Sequence, residues 1–243
     1  MIKTGIYRTA LLLLAFFLFT MAVINVDVQP IGPENSRVGF ADINGAVQSA
    51  FPYSEFFYQL TTYLGYLALL AVLGYGVLGI LQLIKHRSLK RVDKQLMALG
   101  AFFVLMLLCY AVFEKLPVNY RPVILEEGLE ASYPSSHTML ALCVFGAMMV
   151  PYPQLIPAEK LTLVRIAAGT LMVISVVGRL LSGVHWLTDI VGAMLLSATL
   201  ISFYCMLLQL GRLRKKHPAD PGDKEGNWDD STDDGFGDLF RDE

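Results

Sequence analysis

Six apolar segments, each close to the length of a membrane-spanning helix, dominate this chain. A helix needs roughly 20 apolar residues to cross the hydrocarbon core of a bilayer, within a range of about 17 to 25. The segments are residues 9–26, 56–84, 95–114, 137–152, 162–178 and 187–210. Charged residues make up only 16% of the chain, whereas a soluble protein carries roughly 25%. The sequence therefore predicts an all-α, polytopic membrane protein with six transmembrane helices and no role in nucleic-acid binding.

The first segment also has features of a secretion signal. Lys3 and Arg8 precede an apolar run, as they would in a signal peptide. No small-residue cleavage pattern follows that run, which continues through Ile24. We interpret the segment as an uncleaved anchor.

Basic residues are divided unequally between the loops of a six-helix arrangement. One side carries Lys3, Arg8, Lys85, Arg87, Lys90, Arg91, Lys94, Lys160, Arg165, Arg212, Arg214, Lys215 and Lys216. The other side carries only Arg37, Lys115, Arg121 and Arg179. Because cytoplasmic loops of membrane proteins are enriched in Lys and Arg, both termini are predicted to be cytoplasmic.

The end of the chain differs in composition from the rest. Residues 217–243 are rich in Asp and Glu, contain several Gly and Pro, and have few apolar side chains. Such a segment cannot bury enough apolar surface to fold by itself. We expect a six-span membrane domain at residues 1–216 and an acidic, disordered cytoplasmic tail at residues 217–243.

Two ionisable residues stand at the start of the last apolar segment. His185 and Asp189 are four residues apart, so a helical start would place them on one face. A carboxylate that accepts a proton from one imidazole nitrogen leaves the other nitrogen available for attack. The alternative is a buried pair that only joins helices.

The run Pro134, Ser135, Ser136, His137 precedes the fourth segment and predicts the start of a helix, with Ser136 as its cap. Backbone N–H groups at a helix start favour an anion. His137 would then lie beside that anion. Ordinary capping with an interfacial histidine is the alternative.

Three cations complete the set of candidate residues on the sparsely charged side. They are Lys115, Arg121 and Arg179. Lysine at the end of a span commonly extends toward the interface, and arginine there contacts lipid headgroups, so each alone is weak support for a site. Three fixed cations and two histidines at the ends of several spans predict a site for a multiply charged anion, of which phosphate is the first candidate.

With these residues in place, the chain resembles the type-2 phosphatidic acid phosphatase superfamily of membrane lipid phosphatases, whose site architecture is related to that of vanadium haloperoxidases. That family carries the motifs Lys-x6-Arg-Pro, Pro-Ser-Gly-His and Ser-Arg-x5-His-x3-Asp. The counterparts here are Lys115-LPVNY-Arg121-Pro122, Pro134-Ser135-Ser136-His137 and Gly178-Arg179-LLSGV-His185-WLT-Asp189.

This sequence departs from the family pattern at three positions. The first motif has five intervening residues instead of six, which shortens the reach of Lys115. Ser136 stands in place of the family glycine, and Gly178 stands in place of the serine before the arginine. None of these changes removes a residue that the family uses for attack or proton transfer.

The resemblance implies a metal-independent phosphatase without a cofactor. His185 would attack phosphorus to form a phosphohistidine, Asp189 would orient it, and His137 would protonate the departing oxygen and then activate water. The residues that would hold the phosphoryl oxygens are Lys115, Arg121, Ser135, Ser136 and Arg179. The sequence also lacks the clustered carboxylates that a magnesium site needs.

The resemblance further implies a lipid substrate in the cell membrane, with the site on the extracytoplasmic side. Undecaprenyl pyrophosphate is the first expectation, followed by phosphatidic acid and phosphatidylglycerol phosphate. The alternatives are a phosphotransferase with the same intermediate, a non-catalytic lipid-binding or transport protein, and a metal-dependent hydrolase that uses both histidines as ligands. The sequence leaves the oligomeric state and the role of the tail open.

Overall fold

In the computed structural model, residues 2–125, 128–153 and 155–216 are described, and the regular structure among them is helical apart from two isolated bridges. The longer helices are α1 (Ile2–Asn25), α2 (Ala41–Ala50), α3 (Glu55–His86), α4 (Lys94–Lys115), α5 (Ser136–Met148), α6 (Ala158–Leu181) and α7 (Leu187–Lys216). Single 3₁₀ turns lie at Pro33–Asn35 and Leu89–Arg91. The predicted tail at 217–243 falls outside the described residues.

Five of these helices are long and apolar enough to cross a membrane, namely α1, α3, α4, α6 and α7. The expectation of an all-α, multi-pass membrane protein is therefore confirmed. The predicted span at 137–152 is a helix of only 13 residues, Ser136–Met148. At 1.5 Å per residue it is about 20 Å long, against a hydrocarbon core of about 30 Å. Six membrane-spanning helices are therefore not confirmed.

The short helix α5 forms the centre of the bundle. It packs against α3, α6 and α7, and it buries most of its residues from Thr138 to Ala147. A helix that is apolar on every side is expected to be surrounded by other helices. The surrounding spans shield α5, so its length is set by packing instead of by bilayer thickness.

Contacts at its two ends define how α5 runs through the bundle. At its start, His137 meets Arg179 near the end of α6. Just after its end, the Met149 carbonyl accepts a hydrogen bond from Arg165 near the start of α6, at 3.0 Å. The Pro151 carbonyl accepts one from Gln95 at the start of α4, at 2.8 Å. Thus α5 is antiparallel to α6 and extends between the two ends of the bundle.

Helices α1 and α2 pack against α7 and the residues before it. Arg8 donates a hydrogen bond to Ser202 in α7 at 3.0 Å, and Thr20 shares one with the Tyr133 hydroxyl at 2.7 Å. Asn44 in α2 donates to the Thr188 hydroxyl at 2.9 Å, and its carbonyl oxygen accepts from the Thr188 backbone at 3.2 Å. Helix α2 therefore braces the start of α7, whereas α1 is bonded to the middle of α7 and to the segment before α5.

One glycine of α7 is required by the ring packed on it. A Cβ added at Gly192 would lie 2.5 Å from Cε2 of Tyr133, which is almost fully buried. We predict that Gly192→Ala lowers the free energy of unfolding by about 1–3 kcal/mol, the usual cost of overpacking. The midpoint of thermal unfolding in detergent measures this change. Gly169→Ala in α6 is the control, because a Cβ there meets nothing within 4 Å. Equal midpoints for the two variants would contradict the prediction.

Candidate active site

The residues that the sequence singled out lie at one end of the bundle. The end of α4 and the loop after it carry Lys115 and Arg121. The start of α5 carries Ser135, Ser136 and His137, and the α6–α7 junction carries Arg179, His185 and Asp189. Chain segments up to 118 residues apart in sequence meet here.

His185 and Asp189 form a buried pair at the start of α7. His185 Nδ1 lies 3.5 Å from Asp189 Oδ2, an ion-pair distance that is long for a strong hydrogen bond. That carboxylate oxygen accepts a hydrogen bond from the Trp186 backbone N–H at 3.0 Å. Asp189 is fully buried and His185 is nearly so. The imidazole ring therefore has little freedom to reorient.

The imidazole of His185 is kept neutral by its surroundings. Its burial, together with the positive charges of Arg179 and Arg121, holds its pKa well below the ordinary histidine value. Neither ring nitrogen forms a hydrogen bond of ordinary geometry with the described residues, although the Ser132 backbone interacts with the ring. A neutral imidazole retains one nitrogen lone pair, which is the requirement for a nucleophile or base.

Asn119 holds the other oxygen of Asp189, and sequence reasoning missed it. Its side-chain amide donates to Asp189 Oδ1 at 3.1 Å, from within the loop between Lys115 and Arg121. Asn119 is buried, and its amide also approaches the Thr188 hydroxyl at 3.4 Å. Its place inside the first motif was the only available signal, because the contact joins distant parts of the chain.

Arg179 is completely buried and joins three helices. It donates to the Thr61 hydroxyl in α3 at 3.1 Å, and its guanidinium carbon lies 5.4 Å from the Tyr58 ring centre. A second nitrogen lies 3.2 Å from His137 Nδ1. Since a guanidinium can only donate, His137 Nδ1 must be the acceptor. Thr61 and Tyr58 had no sequence signal, because both belong to an otherwise ordinary apolar span.

The start of α5 differs by one residue from the prediction. Ser135, not Ser136, is the cap: its buried hydroxyl accepts from the Thr138 backbone at 3.5 Å and lies 3.0 Å from the Thr138 hydroxyl. The Ser135 backbone N–H donates to the Asp189 carbonyl at 3.1 Å, which ties α5 to α7. Ser136 is the first helical residue, so its N–H is one of the unpaired groups at a helix start.

Arg121 pairs with a carboxylate that was not among the candidates. Its Nε lies 2.7 Å from Glu130 Oε2, and its backbone N–H donates to the Glu130 carbonyl at 3.0 Å. The contact is an ion pair, although the Nε–H is not aimed at the oxygen and lacks a hydrogen bond. Arg121 Nη1 is also buried without a partner among the described residues.

Lys115 stands apart from the other candidates. It is the last residue of α4, and its side chain is exposed at the protein surface. It lines neither of the two cavities found near the site, whereas its neighbour Glu114 lines one of them. The structure therefore does not bring Lys115 together with Arg121 and Arg179.

Two adjoining cavities approach the site. One, of about 290 Å³, has polar walls that include Arg121, Glu130 and Ser132. The other, of about 260 Å³, is almost entirely apolar, faces α3, α4 and α5, and reaches His137. Several buried polar atoms at this end of the bundle form no hydrogen bond of ordinary geometry. They belong to Arg121 and Ser132, which line the polar cavity, and to Arg179 and His185, which line neither cavity. Clustered, unsatisfied donors beside a cavity suit a multiply charged oxyanion.

No group of three or more His, Cys, Asp or Glu side chains with metal-binding geometry occurs in the described ranges. The ionisable side chains of the candidate site are instead arginines, histidines and carboxylates that do not form such a group.

Comparisons with known proteins agree with this geometry. A family model described as PAP2 superfamily matches residues 112–212, which include all three motifs. The crystal structure of the first transmembrane PAP2 type phosphatidylglycerolphosphate phosphatase from Bacillus subtilis superimposes with a TM-score of 0.60 and 19% sequence identity. The match covers 88% of this chain and 100% of that chain. No curated protein matches the chain significantly.

The fold and the family match define a multi-pass membrane protein with the fold of a PAP2-type phosphatase. The resemblance that the three motifs predicted is confirmed, because the PAP2 superfamily model matches residues 112–212.

We predict that Asn119→Ala lowers kcat by roughly 5- to 150-fold and changes KM little. The substitution leaves a buried carboxylate oxygen short of a hydrogen bond, which costs about 1–3 kcal/mol, and it loosens the orientation of His185. Steady-state phosphate release measures both constants. Asn25→Ala is the control, because that side chain is exposed and bonds only to the Met21 carbonyl. An unchanged kcat in Asn119→Ala would refute the orienting role.

Proposed function

We propose that the protein hydrolyses the phosphomonoester or diphosphate headgroup of a membrane lipid through a phosphohistidine on His185. The observation that carries the proposal is the buried His185 imidazole, held 3.5 Å from Asp189 without a hydrogen bond of ordinary geometry. The positive charges of Arg179 and Arg121 help to lower its pKa. With its Nδ1 proton facing Asp189, the imidazole has its lone pair on Nε2. Positive charge nearby lowers the barrier for attack on an anionic phosphorus centre.

The reaction has two steps. In the first, His185 Nε2 forms a bond to phosphorus and the bond between phosphorus and the lipid oxygen breaks. His137 gives its proton to that departing oxygen. In the second, His137 takes a proton from water, the water oxygen attacks phosphorus, and the bond to Nε2 breaks to release phosphate. Splitting one difficult displacement into two lowers each barrier.

The contact between Arg179 and His137 supports a proton-carrying role that begins only with substrate. A phosphate group competes for the guanidinium donors that now face His137 Nδ1. Once Arg179 turns to the phosphate, Nδ1 can be protonated and His137 becomes an acid. Arg121, Ser135 and the Ser136 backbone would complete the cradle for the phosphoryl oxygens.

The apolar cavity supports a lipid substrate. Its walls include Leu69, Met106 and Leu140, and it shares Tyr110, Ser136 and Met139 with the polar cavity. A tail lying in the apolar cavity would bring its phosphate to Ser136 and His137. Undecaprenyl pyrophosphate, phosphatidic acid and phosphatidylglycerol phosphate are the substrates to compare, in that order of expectation.

The charges of the loops support an extracytoplasmic site. The stretch from Lys85 to Lys94, where α3 ends and α4 begins, carries five basic residues and lies at the opposite end of the bundle from His185. Because α5 extends between the two ends, we propose that it completes a sixth crossing and leaves both termini in the cytoplasm. Residues 217–243 would then form an acidic cytoplasmic tail beyond a membrane domain at 1–216.

The first test is phosphate release by the purified full-length protein in detergent containing EDTA. We expect wild type to act on at least one of the three lipids and His185→Ala to lose nearly all activity. Loss of wild-type activity in EDTA would favour a metal-dependent hydrolase. Activity retained by His185→Ala would overturn the phosphohistidine, and phosphate appearing on an added lipid or sugar instead of in solution would identify a phosphotransferase.

We predict that Lys115→Ala reduces kcat/KM less than Arg121→Ala or Arg179→Ala does. Lys115 is exposed and outside both cavities, whereas the two arginines are mostly or wholly buried beside His185. Removing a buried charged donor from a phosphate costs several kcal/mol, and a lysine in solvent contributes much less. An equal loss in all three variants would mean that the loop carries Lys115 into the site during turnover.

A further inference from the structure

The polar cavity beside the site has an unexpected charge. It lies between α4 and the loop that precedes α5, and three ionisable side chains line it: Glu114, Arg121 and Glu130. Two carboxylates therefore face one guanidinium. A cavity that received only the phosphate of a lipid would be expected to carry cations alone.

Glu114 occupies a position where a cation was expected. It stands seven residues before Arg121, which is the spacing of the lysine in the Lys-x6-Arg-Pro pattern. The lysine of this chain is one residue further on and outside the cavity. Consecutive helical residues are about 100° apart around the axis, so the single-residue shift exchanges a cation for an anion at the cavity wall. The hydroxyl of Tyr110, which also lines the cavity, interacts with the Glu114 carboxylate.

Two further observations indicate that this cavity receives a polar ligand. Ser132 lines it with 2% of its surface exposed, and its hydroxyl interacts with the Asp189 carboxylate but forms no hydrogen bond of ordinary geometry. Arg121 Nη1 is buried and has no hydrogen-bond partner among the described residues. Buried polar atoms in native proteins are nearly always paired, by protein, water or ligand.

These groups restrict the chemistry of the ligand. A bare anion would be attracted by Arg121 but repelled by Glu114 and Glu130, and a bare cation would meet the opposite conflict. A ligand that joins an anionic group to hydrogen-bond donors satisfies all three. The cavity, at about 290 Å³, is at the small end of the range of roughly 300–1,000 Å³ for ligand sites, so it suits a headgroup fragment and not a whole lipid.

We propose that the cavity is a subsite for a headgroup that carries a hydrogen-bond donor next to its phosphate, either a hydroxyl or an amine. Arg121 holds the anionic group, Glu114 and Glu130 accept from the donors, and Ser132 completes the wall. The proposal rests on the phosphatase function proposed above and adds a selectivity to it. A lipid whose phosphate is joined directly to an apolar tail, with no hydrogen-bond donor beside it, gains no affinity from this subsite.

The test uses water-soluble headgroup fragments and the full-length protein in detergent. Binding of glycerol 3-phosphate, phosphoethanolamine and methyl phosphate is measured by calorimetry, and inhibition of lipid hydrolysis is measured in parallel. We expect wild type to bind one of the first two about tenfold more tightly than methyl phosphate, the effect of one or two charge-assisted hydrogen bonds. Equal binding of all three fragments would overturn the proposal.

Variants of Glu114 assign the selectivity and separate the two kinds of donor. Glu114→Gln removes the charge but keeps an acceptor oxygen, so a preference for the amine should fall to less than about threefold while a preference for the hydroxyl persists. Glu114→Ala removes both preferences. Glu159→Ala, an exposed carboxylate at the start of α6, is the control and should behave as wild type. A preference that survives Glu114→Ala would overturn the assignment.

The calorimetric result also separates this proposal from the phosphatase function. Wild type that binds fragments selectively but releases no phosphate from any lipid would retain the subsite and contradict the phosphatase function. Wild type that hydrolyses lipids but binds all fragments equally would support the phosphatase function and contradict the subsite.

Discussion

The buried guanidinium of Arg179 is the constraint on which the rest of the site depends. An uncompensated charge among membrane-spanning helices is very unfavourable, so its donors must meet acceptors from neighbouring segments. Thr61 supplies one from α3 and His137 supplies another from α5, while the Tyr58 ring lies close enough for a cation–π contact. Helices α3, α5 and α6 are thereby held in one register, and that register brings His137 toward His185.

Within the same buried region, the hydrogen bonds are divided unequally between Asp189 and His185. Hydrogen bonds from Asn119 and Trp186 hold Asp189 on both oxygens, whereas His185 Nδ1 lies 3.5 Å from that carboxylate without a hydrogen bond of ordinary geometry. The carboxylate is therefore fixed, and the imidazole nitrogens remain available to interact with a ligand. Donors that are oriented before the ligand arrives need no reorganisation during the reaction, which is how preorganised sites stabilise charge that develops in a transition state.

The sequence predicted the class of fold and family because both depend on local patterns. Apolar length identified the membrane helices, and the motif residues fall at the end of α4 and the loop after it, at the start of α5 and at the α6–α7 junction. The span at 137–152 was overestimated, because apolar character alone does not distinguish a helix shielded by its neighbours from one that faces lipid. Asn119 and Thr61 were not predictable, since each acts on a residue 70 or more positions away. Which of Glu114 and Lys115 faces the site depended on one step of helical rotation at the end of α4.

The two cavities together explain why the candidate site lies where the helices end. Ser136, Tyr110 and Met139 form part of both walls, so a ligand that passes from one cavity to the other crosses from apolar to polar surroundings at Ser136. A lipid phosphate has the same division, with a tail that prefers the bilayer and a headgroup that prefers water. The bond between them can be placed beside His137 without moving either part into an unfavourable medium. The capped start of a short central helix meets this requirement, because Ser136, its first residue, belongs to the walls of both cavities.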